Sequence, residues 1–139
     1  ESSAASDVYK RQRKNFSAQV LKANMKVVGN CEYGVLLYRE KLPKFNNGGR
    51  MVFNCFDYPR DTDTPRIHPT QKSVPLLERL IELFTDNGDV VIDPCAGSGT
   101  TLLAAAQCGR KAYGFEIKKN FYADANKIIL SRMQPRMFV

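Results

Sequence analysis

The sequence has no tryptophan, one histidine and four widely spaced cysteines, at positions 31, 55, 95 and 108. The cysteines form no Cys-x-x-Cys pair and one histidine adds a single ligand, so we expect no zinc or other metal site. No apolar run approaches about 20 residues and no signal peptide is recognisable, so we expect no membrane segment. Free cysteines without an export signal favour a reducing, cytoplasmic compartment, and Cys95 and Cys108 are expected to be buried as small apolar side chains.

Length and charge limit the architecture and the partners. With 139 residues and 43% hydrophobic side chains, the chain can form one domain with a substantial core but not two. The net charge is +7. Residues 10 to 50 hold only Glu32 and Glu40 as acids, against basic residues at 10, 11, 13, 14, 22, 26, 39, 41, 44 and 50. Such a segment is typical of phosphate-backbone contact and equally of a solvated face, so charge alone leaves DNA binding open.

The most informative stretch begins with a strand and a glycine turn. Val90–Ile92 is β-branched and uninterrupted, which predicts a parallel strand buried on both faces. Pro94 cannot donate a ladder hydrogen bond, so the strand ends at Asp93. Gly97 and Gly99 then let the backbone turn sharply and approach a ligand closely.

A helix, a second strand and an acid follow the turn. Thr100–Gln107 is rich in leucine and alanine and predicts a helix, which Gly109 ends in a left-handed conformation. Ala112–Phe115 predicts the next strand, and Glu116 follows it. In such a βαβ unit the terminal acid reaches both hydroxyls of a ribose at the carboxyl edge of the sheet.

The residues of the turn discriminate between nucleoside ligands. A P-loop needs a lysine after its glycines, and the segment Gly97 to Thr101 has none. A dinucleotide site needs a third small residue where Leu102 stands, and Asp93 places a negative charge where a pyrophosphate would lie. An acid there suits a cationic ligand such as S-adenosylmethionine. Two glycines alone would fit any tight turn of an α/β protein, so the motif depends on its whole context.

Two segments together resemble a known family. They are Asp93-Pro94-Cys95-Ala96-Gly97-Ser98-Gly99-Thr100, with Glu116 after it, and Arg66-Ile67-His68-Pro69-Thr70-Gln71-Lys72-Ser73 just upstream. In this order they resemble the DNA methyltransferases that modify exocyclic amino groups of adenine or cytosine, in the permuted group whose cofactor motifs come last. Ser73 replaces the usual proline and Cys95 the usual aromatic residue. The resemblance covers about residues 66 to 130, and more weakly reaches back to about residue 30.

The resemblance implies an α/β, Rossmann-like fold with an incomplete sheet, S-adenosylmethionine as cofactor and DNA as partner. His68 is not expected to be catalytic. The residues that the resemblance assigns to the cofactor are Thr70, Gln71, Lys72, Asp93, Pro94, Cys95, Ala96, Gly97, Ser98, Gly99, Thr100, Phe115 and Glu116.

The family's catalytic loop, Asp/Asn/Ser-Pro-Pro-Tyr/Phe/Trp, is absent. Asp57-Tyr58-Pro59 lacks the double proline, so no catalytic residue is assigned. In the permuted order this loop lies upstream, and we therefore expect the carboxyl-terminal part of a longer enzyme of the restriction-modification type, with its upstream portion as a partner. RNA or small-molecule methylation by the same fold, and a non-catalytic basic DNA-binding module, stay open as alternatives.

The remaining pattern divides the chain coarsely. Residues 1–14 show no periodicity and are expected to be unstructured or extraneous; 15–139 form the domain and 66–133 its cofactor-binding portion. Strands are predicted over 33–38 and 51–56, and helices over 75–84 and 119–133. The helix over 75–84 carries a core-facing stripe of Leu77, Leu80, Ile81 and Phe84. Without the strand that bears the catalytic loop, one side of Val90–Ile92 is expected to be unpaired.

Overall fold

The computed structural model describes residues 8–14, 19–22, 27–29, 31–40, 45–58 and 60–133. These residues belong to two compact units, one within residues 1–43 and 47–60 and the other within 44–46 and 61–139. Among the described residues, no helix has the length and apolar character needed to cross a membrane.

The described residues of the first unit form five strands. They are β1 (Val8–Lys14), β2 (Gln19–Lys22), β3 (Val27–Gly29), β4 (Cys31–Leu36) and β5 (Cys55–Tyr58). β1 is the central strand of a three-stranded sheet, antiparallel to β4 and parallel to β5. β2 and β3 form a separate antiparallel pair with an irregular register.

This unit corrects three sequence predictions. Val8–Lys14 forms the central strand β1, although no element was expected before residue 15; residues 1–7 lie outside the described part. Its seven residues include few apolar side chains, so pairing with two neighbours, rather than periodicity, determines the strand. β4 occupies 31–36 instead of 33–38. β5 begins only at Cys55, because Met51 and Phe53 are 99% and 86% exposed and precede a bend.

Tyr58, at the end of β5, is buried. Only 8% of it is exposed. Burial, the negative charge of Glu32 on β4 and a side-chain hydrogen bond with Glu32 raise the pKa of Tyr58 to about 12. The phenol therefore stays protonated and links the two outer strands of this sheet.

The second unit contains the βαβ unit that the sequence predicts. Its elements are α1 (Val74–Phe84), β6 (Val90–Asp93), α2 (Thr100–Gln107), β7 (Lys111–Gly114) and α3 (Lys119–Asp124). β6 and β7 pair in parallel, with Val90 opposite Lys111 and Asp93 opposite Gly114. α3 continues as a π-type turn over Ala125–Ile129 and a 3-10 turn over Leu130–Arg132. The predicted helix over 119–133 is thus one helical segment with a change of winding.

The core of this unit lies between α1, α2 and the segment after α3. Leu103, Ala104 and Ile129 are at most 2% exposed and pack with Val74 and Ile81 of α1. The stripe predicted for α1 is confirmed at Ile81, which is buried, and at Leu77, which packs against the same cluster. Leu76 and Leu83, outside that stripe, are also buried, so α1 is covered on a second side.

One face of the β6–β7 pair is open. Val91 and Ala112 pack against the core, whereas Val90 and Ile92 are 52% and 63% exposed. The prediction that this strand is buried on both faces is therefore wrong. The prediction of an unpaired side is confirmed, because β6 pairs only with β7 among the described residues.

Arg110 fixes the end of α1 to the start of β7. Its Nε donates to the hydroxyl oxygen of Thr85 at 2.9 Å, and one terminal nitrogen donates to the Thr85 carbonyl at 2.6 Å. The other terminal nitrogen donates to the carbonyl of Cys108. A fork of five N–H donors can serve three acceptors at once, so this guanidinium joins the residues that follow α1 and α2.

Candidate cofactor site

The glycine turn between β6 and α2 has the conformation that the sequence predicts. Gly97 and Gly99 have φ angles of 52° and 77°, in the left-handed region that favours glycine. The N–H of Gly99 donates to the carbonyl of Ala96 at 2.8 Å. A Cβ on Gly99 would lie 3.3 Å from Leu130 and 3.4 Å from Ala125, so the turn also packs closely against the helical segment after α3.

Glu116 joins the end of β7 to this turn. Its Oε2 accepts a hydrogen bond from the backbone N–H of Gly97 at 2.9 Å, and its Oε1 accepts one from the N–H of Lys118 at 2.8 Å. Beside it, Phe115 donates to the Asp93 carbonyl and accepts from the Ala96 N–H. The sequence predicts a cofactor-binding carboxylate at Glu116; its second role, holding the turn, could be found only from the structure.

The first residues of the turn are open to solvent. Asp93 is half-buried, and its Oδ1 accepts a hydrogen bond from the Cys95 N–H at 3.0 Å. Pro94 and Cys95 are exposed. The expected burial of Cys95 is therefore wrong, because it lies on the outer corner of the turn, whereas the expected burial of Cys108 is confirmed at 7% exposure.

Ser98 and Thr100 are oriented inward. Each is 3% exposed, and their hydroxyl oxygens are 3.3 Å apart. Ala96 and Gly97 are half-buried. Because the two hydroxyls are paired inside the turn, Ser98 and Thr100 would contact a ligand through their backbone atoms.

The segment over 66–73 is stabilised by its own side chains. Oε1 of Gln71 accepts from the Ile67 N–H at 3.1 Å, and Nε2 of Gln71 donates to the Pro65 carbonyl at 2.9 Å. A terminal nitrogen of Arg66 donates to the Pro69 carbonyl at 2.6 Å. Both polar ends of the Gln71 amide are thus used within the loop, while Thr70 and Lys72 are exposed.

Asp61 caps α1 from a distance in sequence. Its Oδ2 accepts from the Val74 N–H at 3.0 Å, and its Oδ1 accepts from the N–H groups of Asp63 and Thr64. Ser73, the residue before α1, makes no side-chain capping bond. Partial burial of Asp61 raises its pKa, but these hydrogen bonds outweigh that effect and lower the pKa below its ordinary value of 3.8.

The structure brings the two predicted halves of the site together. The imidazole of His68 faces Gly97, where a Cβ would be 3.6 Å from Nε2. The loop that contains Thr70 therefore adjoins the glycine turn, and Glu116 adjoins the same glycine. Sequence reasoning missed Gly114, where a Cβ would lie 2.6 Å from Leu102 and 2.9 Å from Ala96.

Comparison with known proteins identifies the family. The sequence model of the N6/N4 DNA methylases, described as DNA methylase, matches residues 6–127. This chain belongs to the DNA methylase family. The matched range includes every residue assigned above to the cofactor, and it begins before β1, in agreement with the strand found there.

Individual DNA methylases resemble the chain over part of their length. The DNA adenine methyltransferase YhdJ of Escherichia coli is 40% identical over 87 residues, which are 60% of this chain and 30% of YhdJ. The type II methyltransferase M2.DpnII of Streptococcus pneumoniae is 45% identical over 60 residues, 43% of this chain and 22% of that protein. The chain therefore spans less than a third of the length of these two relatives.

A solved structure confirms the fold class. The crystal structure of the M1.HpyAVI–SAM complex matches 88% of this chain and 60% of that chain, with a TM-score of 0.73 and 28% sequence identity. The α/β, Rossmann-like methyltransferase fold with an incomplete sheet, which the family resemblance implies, is thus the fold of this chain. Across its described ranges, no group of three or more His, Cys, Asp or Glu side chains could hold a metal ion.

Proposed function

We propose that this DNA methylase chain binds S-adenosylmethionine at the glycine turn, with Glu116 on one side and the segment Thr70–Lys72 on the other. The observation that carries the proposal is the position of the Glu116 carboxylate. It lies just after β7, at the carboxyl edge of the parallel pair, and is hydrogen-bonded to the Gly97 N–H at 2.9 Å. That edge is where open α/β sheets bind their ligands.

The residues present fit this cofactor. An ionised carboxylate has about four lone-pair sites, and two backbone N–H groups occupy two of those on Glu116, so acceptors remain for both hydroxyls of a ribose. Asp93 adds a second carboxylate at the same edge, which favours a ligand that carries a positive sulfonium. When bound, S-adenosylmethionine supplies an electrophilic methyl group; this chain's residues bind and orient it.

For the intact enzyme we propose methylation of an exocyclic amino group of adenine or cytosine in DNA. S-adenosylmethionine, held by the glycine turn and Glu116, would supply the methyl group for the amino nitrogen. Family membership supports DNA as the substrate, and the names of YhdJ and M2.DpnII support adenine methylation and a restriction-modification context. The remaining portion of the enzyme would supply the amine-binding loop. We also propose a cytoplasmic location, which the four free thiols favour.

Calorimetric titration with S-adenosylmethionine tests the cofactor site. Glu116→Gln keeps one oxygen for the Gly97 N–H and should weaken binding about tenfold, since charge-assisted hydrogen bonds contribute about 1.5–3 kcal/mol. Glu116→Ala should abolish measurable binding. Asp63→Asn, which alters an exposed carboxylate outside the site, serves as the control. Equal affinity of the wild type and Glu116→Ala would refute the ribose assignment.

Transfer of labelled methyl groups tests the substrate. The chain alone should methylate nothing, because it has no amine-binding loop, and addition of the upstream portion should restore transfer to DNA. Transfer to RNA or to a small amine in place of DNA would refute the substrate class. Tight cofactor binding with no transfer after reconstitution would favour the non-catalytic alternative.

A further inference from the structure

The imidazole of His68 lies beside three segments of the second unit. Its Nδ1 lies 3.1 Å from the hydroxyl oxygen of Thr70 and 3.3 Å from the backbone nitrogen of Thr70. Its ring centroid lies 4.3 Å from that of Phe121 on α3, with the rings inclined at 61°. On a third side the ring faces Gly97, where Nε2 and Cδ2 would each lie 3.6 Å from a Cβ.

The hydrogen bonds to Thr70 define the state of the ring. A backbone N–H can only donate, so Nδ1 of His68 must offer a lone pair to it, and the Thr70 hydroxyl can donate to the same atom. Nδ1 then carries no proton and Nε2 carries one. A proton on Nδ1 would oppose the Thr70 N–H, even though the Thr70 hydroxyl oxygen could accept from it, so the backbone hydrogen bond selects the Nε2–H tautomer.

His68 lies between its own loop and the glycine turn. The N–H of Gly97 donates to Glu116, and a Cβ built on Gly97 would lie 3.6 Å from the His68 ring, so the ring adjoins the turn. The His68 carbonyl also accepts from the Gln71 N–H at 3.2 Å. The backbone of residue 68 therefore stabilises the loop, while its side chain faces the turn.

We propose that His68 is a positioning residue that holds Thr70–Lys72 at a fixed distance from the glycine turn. The inference rests on the proposed cofactor site, because these segments are its two sides. His68 takes no part in bond making or breaking. Its role is to let both segments contact one ligand at once, which requires that neither moves relative to the other.

A spectroscopic measurement tests the ring state without any cofactor. His68 is the only histidine of the chain, so every imidazole signal belongs to it. Nitrogen-15 spectra at neutral pH should show a protonated Nε2 and an unprotonated Nδ1. An Nδ1–H tautomer, or averaging of the two tautomers, would overturn the proposal.

Matched variants test the positioning role. His68→Asn places an amide oxygen near the position of Nδ1, whereas His68→Gln extends toward that of Nε2. The Asn variant should bind S-adenosylmethionine within about threefold of wild type, and the Gln variant about tenfold more weakly, as expected when one hydrogen bond is removed. Equal weakening in both variants, or none in the Gln variant, would overturn the proposal, and thermal unfolding of each variant shows whether it folds.

A wild-type chain that binds no S-adenosylmethionine would refute the proposed function but leave His68 to be judged separately. In that case the hydrogen exchange of the Thr70 amide decides. It should be faster in His68→Gln than in the wild type, and near the wild-type rate in His68→Asn. Unchanged exchange in both variants would overturn the positioning role.

Discussion

Gly114 lies where β7 passes the first turn of α2, at a point with no room for a side chain. An added Cβ would be 2.9 Å from the Cβ of Ala96, which cannot move away as the end of a flexible side chain can. Leu102 would be even closer, at 2.6 Å. Since Ala96 belongs to the glycine turn and Gly114 precedes Glu116 by two residues, this packing sets how closely the two parts of the site approach.

We predict that Gly114→Ala lowers the free energy of unfolding by about 1–3 kcal/mol, as overpacking does. It should also weaken S-adenosylmethionine binding, because it separates the glycine turn from β7. Chemical denaturation and calorimetry measure the two effects. The matched control is Gly34→Ala on β4, where no atom lies within 4 Å of an added Cβ. Equal stability of the two variants would show that the close approach is not a real constraint.

At the residue scale, the sequence indicates a candidate site through three residues. Gly97 and Gly99 stand out because left-handed turns favour glycine, and Glu116 stands out because an acid after the second strand of a βαβ unit can reach a ribose. His68 and Gly114 did not stand out. Their roles depend on which side chains from other elements surround them, and spacing in sequence carries no information about that.

At the scale of secondary-structure elements, Asp61 stabilises α1 from outside the helix. Its carboxylate accepts from Val74 at the start of α1 and from two residues of its own loop. The pKa of Asp61 is lower in the folded protein than the ordinary 3.8, since these bonds outweigh the effect of burial. The ionised form therefore stabilises the fold. This contribution is complete well above pH 3.8 and is lost as the pH falls through the folded pKa.

We predict that Asp61→Asn lowers stability at pH 7 by about 1 kcal/mol, the usual contribution of a helix cap. The difference from wild type should shrink as the pH falls below 3.8 and through the lowered folded pKa, where the wild-type carboxyl itself becomes protonated. Thermal unfolding of both proteins across this pH range measures it, with Asp63→Asn as the exposed control. A difference that stays constant with pH would mean that the charge of Asp61 is not the stabilising feature.

Elements with strong local signals were predicted well, and those that depend on long-range pairing were not. α2 has the predicted bounds of Thr100–Gln107, because a glycine turn precedes it and a glycine follows it. β1 was missed, since Val8–Lys14 carries mostly polar residues and is a strand through its pairing with β4 and β5. The shift of β5 to Cys55–Tyr58 has a similar cause: apolar residues before it are exposed.

At the scale of the whole molecule, the open face of the second unit is the main departure from a complete methyltransferase sheet. Val90, Ile92, Tyr113 and Phe115 are each at least 52% exposed, and β6 has one partner among the described residues. Parallel strands are normally covered on both faces and both edges. An apolar face next to an open edge favours contact with further protein.

We predict that the chain by itself associates with copies of itself, and that Ile92→Thr combined with Tyr113→Thr reduces this association. Sedimentation velocity over a range of concentrations measures the effect. The control is Leu37→Thr, which removes an exposed apolar side chain of the first unit. If the double variant leaves self-association unchanged, or if Leu37→Thr reduces it equally, the self-association involves a surface other than the open face of β6 and β7.

We predict that the basic amino-terminal half carries the DNA affinity of the chain. Replacing Lys10, Arg11, Arg13 and Lys14 by glutamine should weaken nonspecific DNA binding and flatten its salt dependence. The slope of log affinity against log salt should fall by about 0.9 for each DNA phosphate that the variant no longer neutralises. Lys111 and Lys119, both exposed in the second unit, provide control replacements. An unchanged salt-dependence slope in the variant with four glutamines would show that these four residues form a solvated face and do not contact DNA.

The claim that this chain carries an S-adenosylmethionine site at the glycine turn is tested most directly by amide chemical-shift mapping. A uniformly nitrogen-15-labelled chain is titrated with S-adenosylmethionine, and the backbone amide shifts are followed to saturation. The account predicts the largest changes at Gly97, Gly99 and Glu116, with further changes over Thr70–Lys72. Saturable changes confined to the first unit, or no saturable change at millimolar concentration, would contradict it.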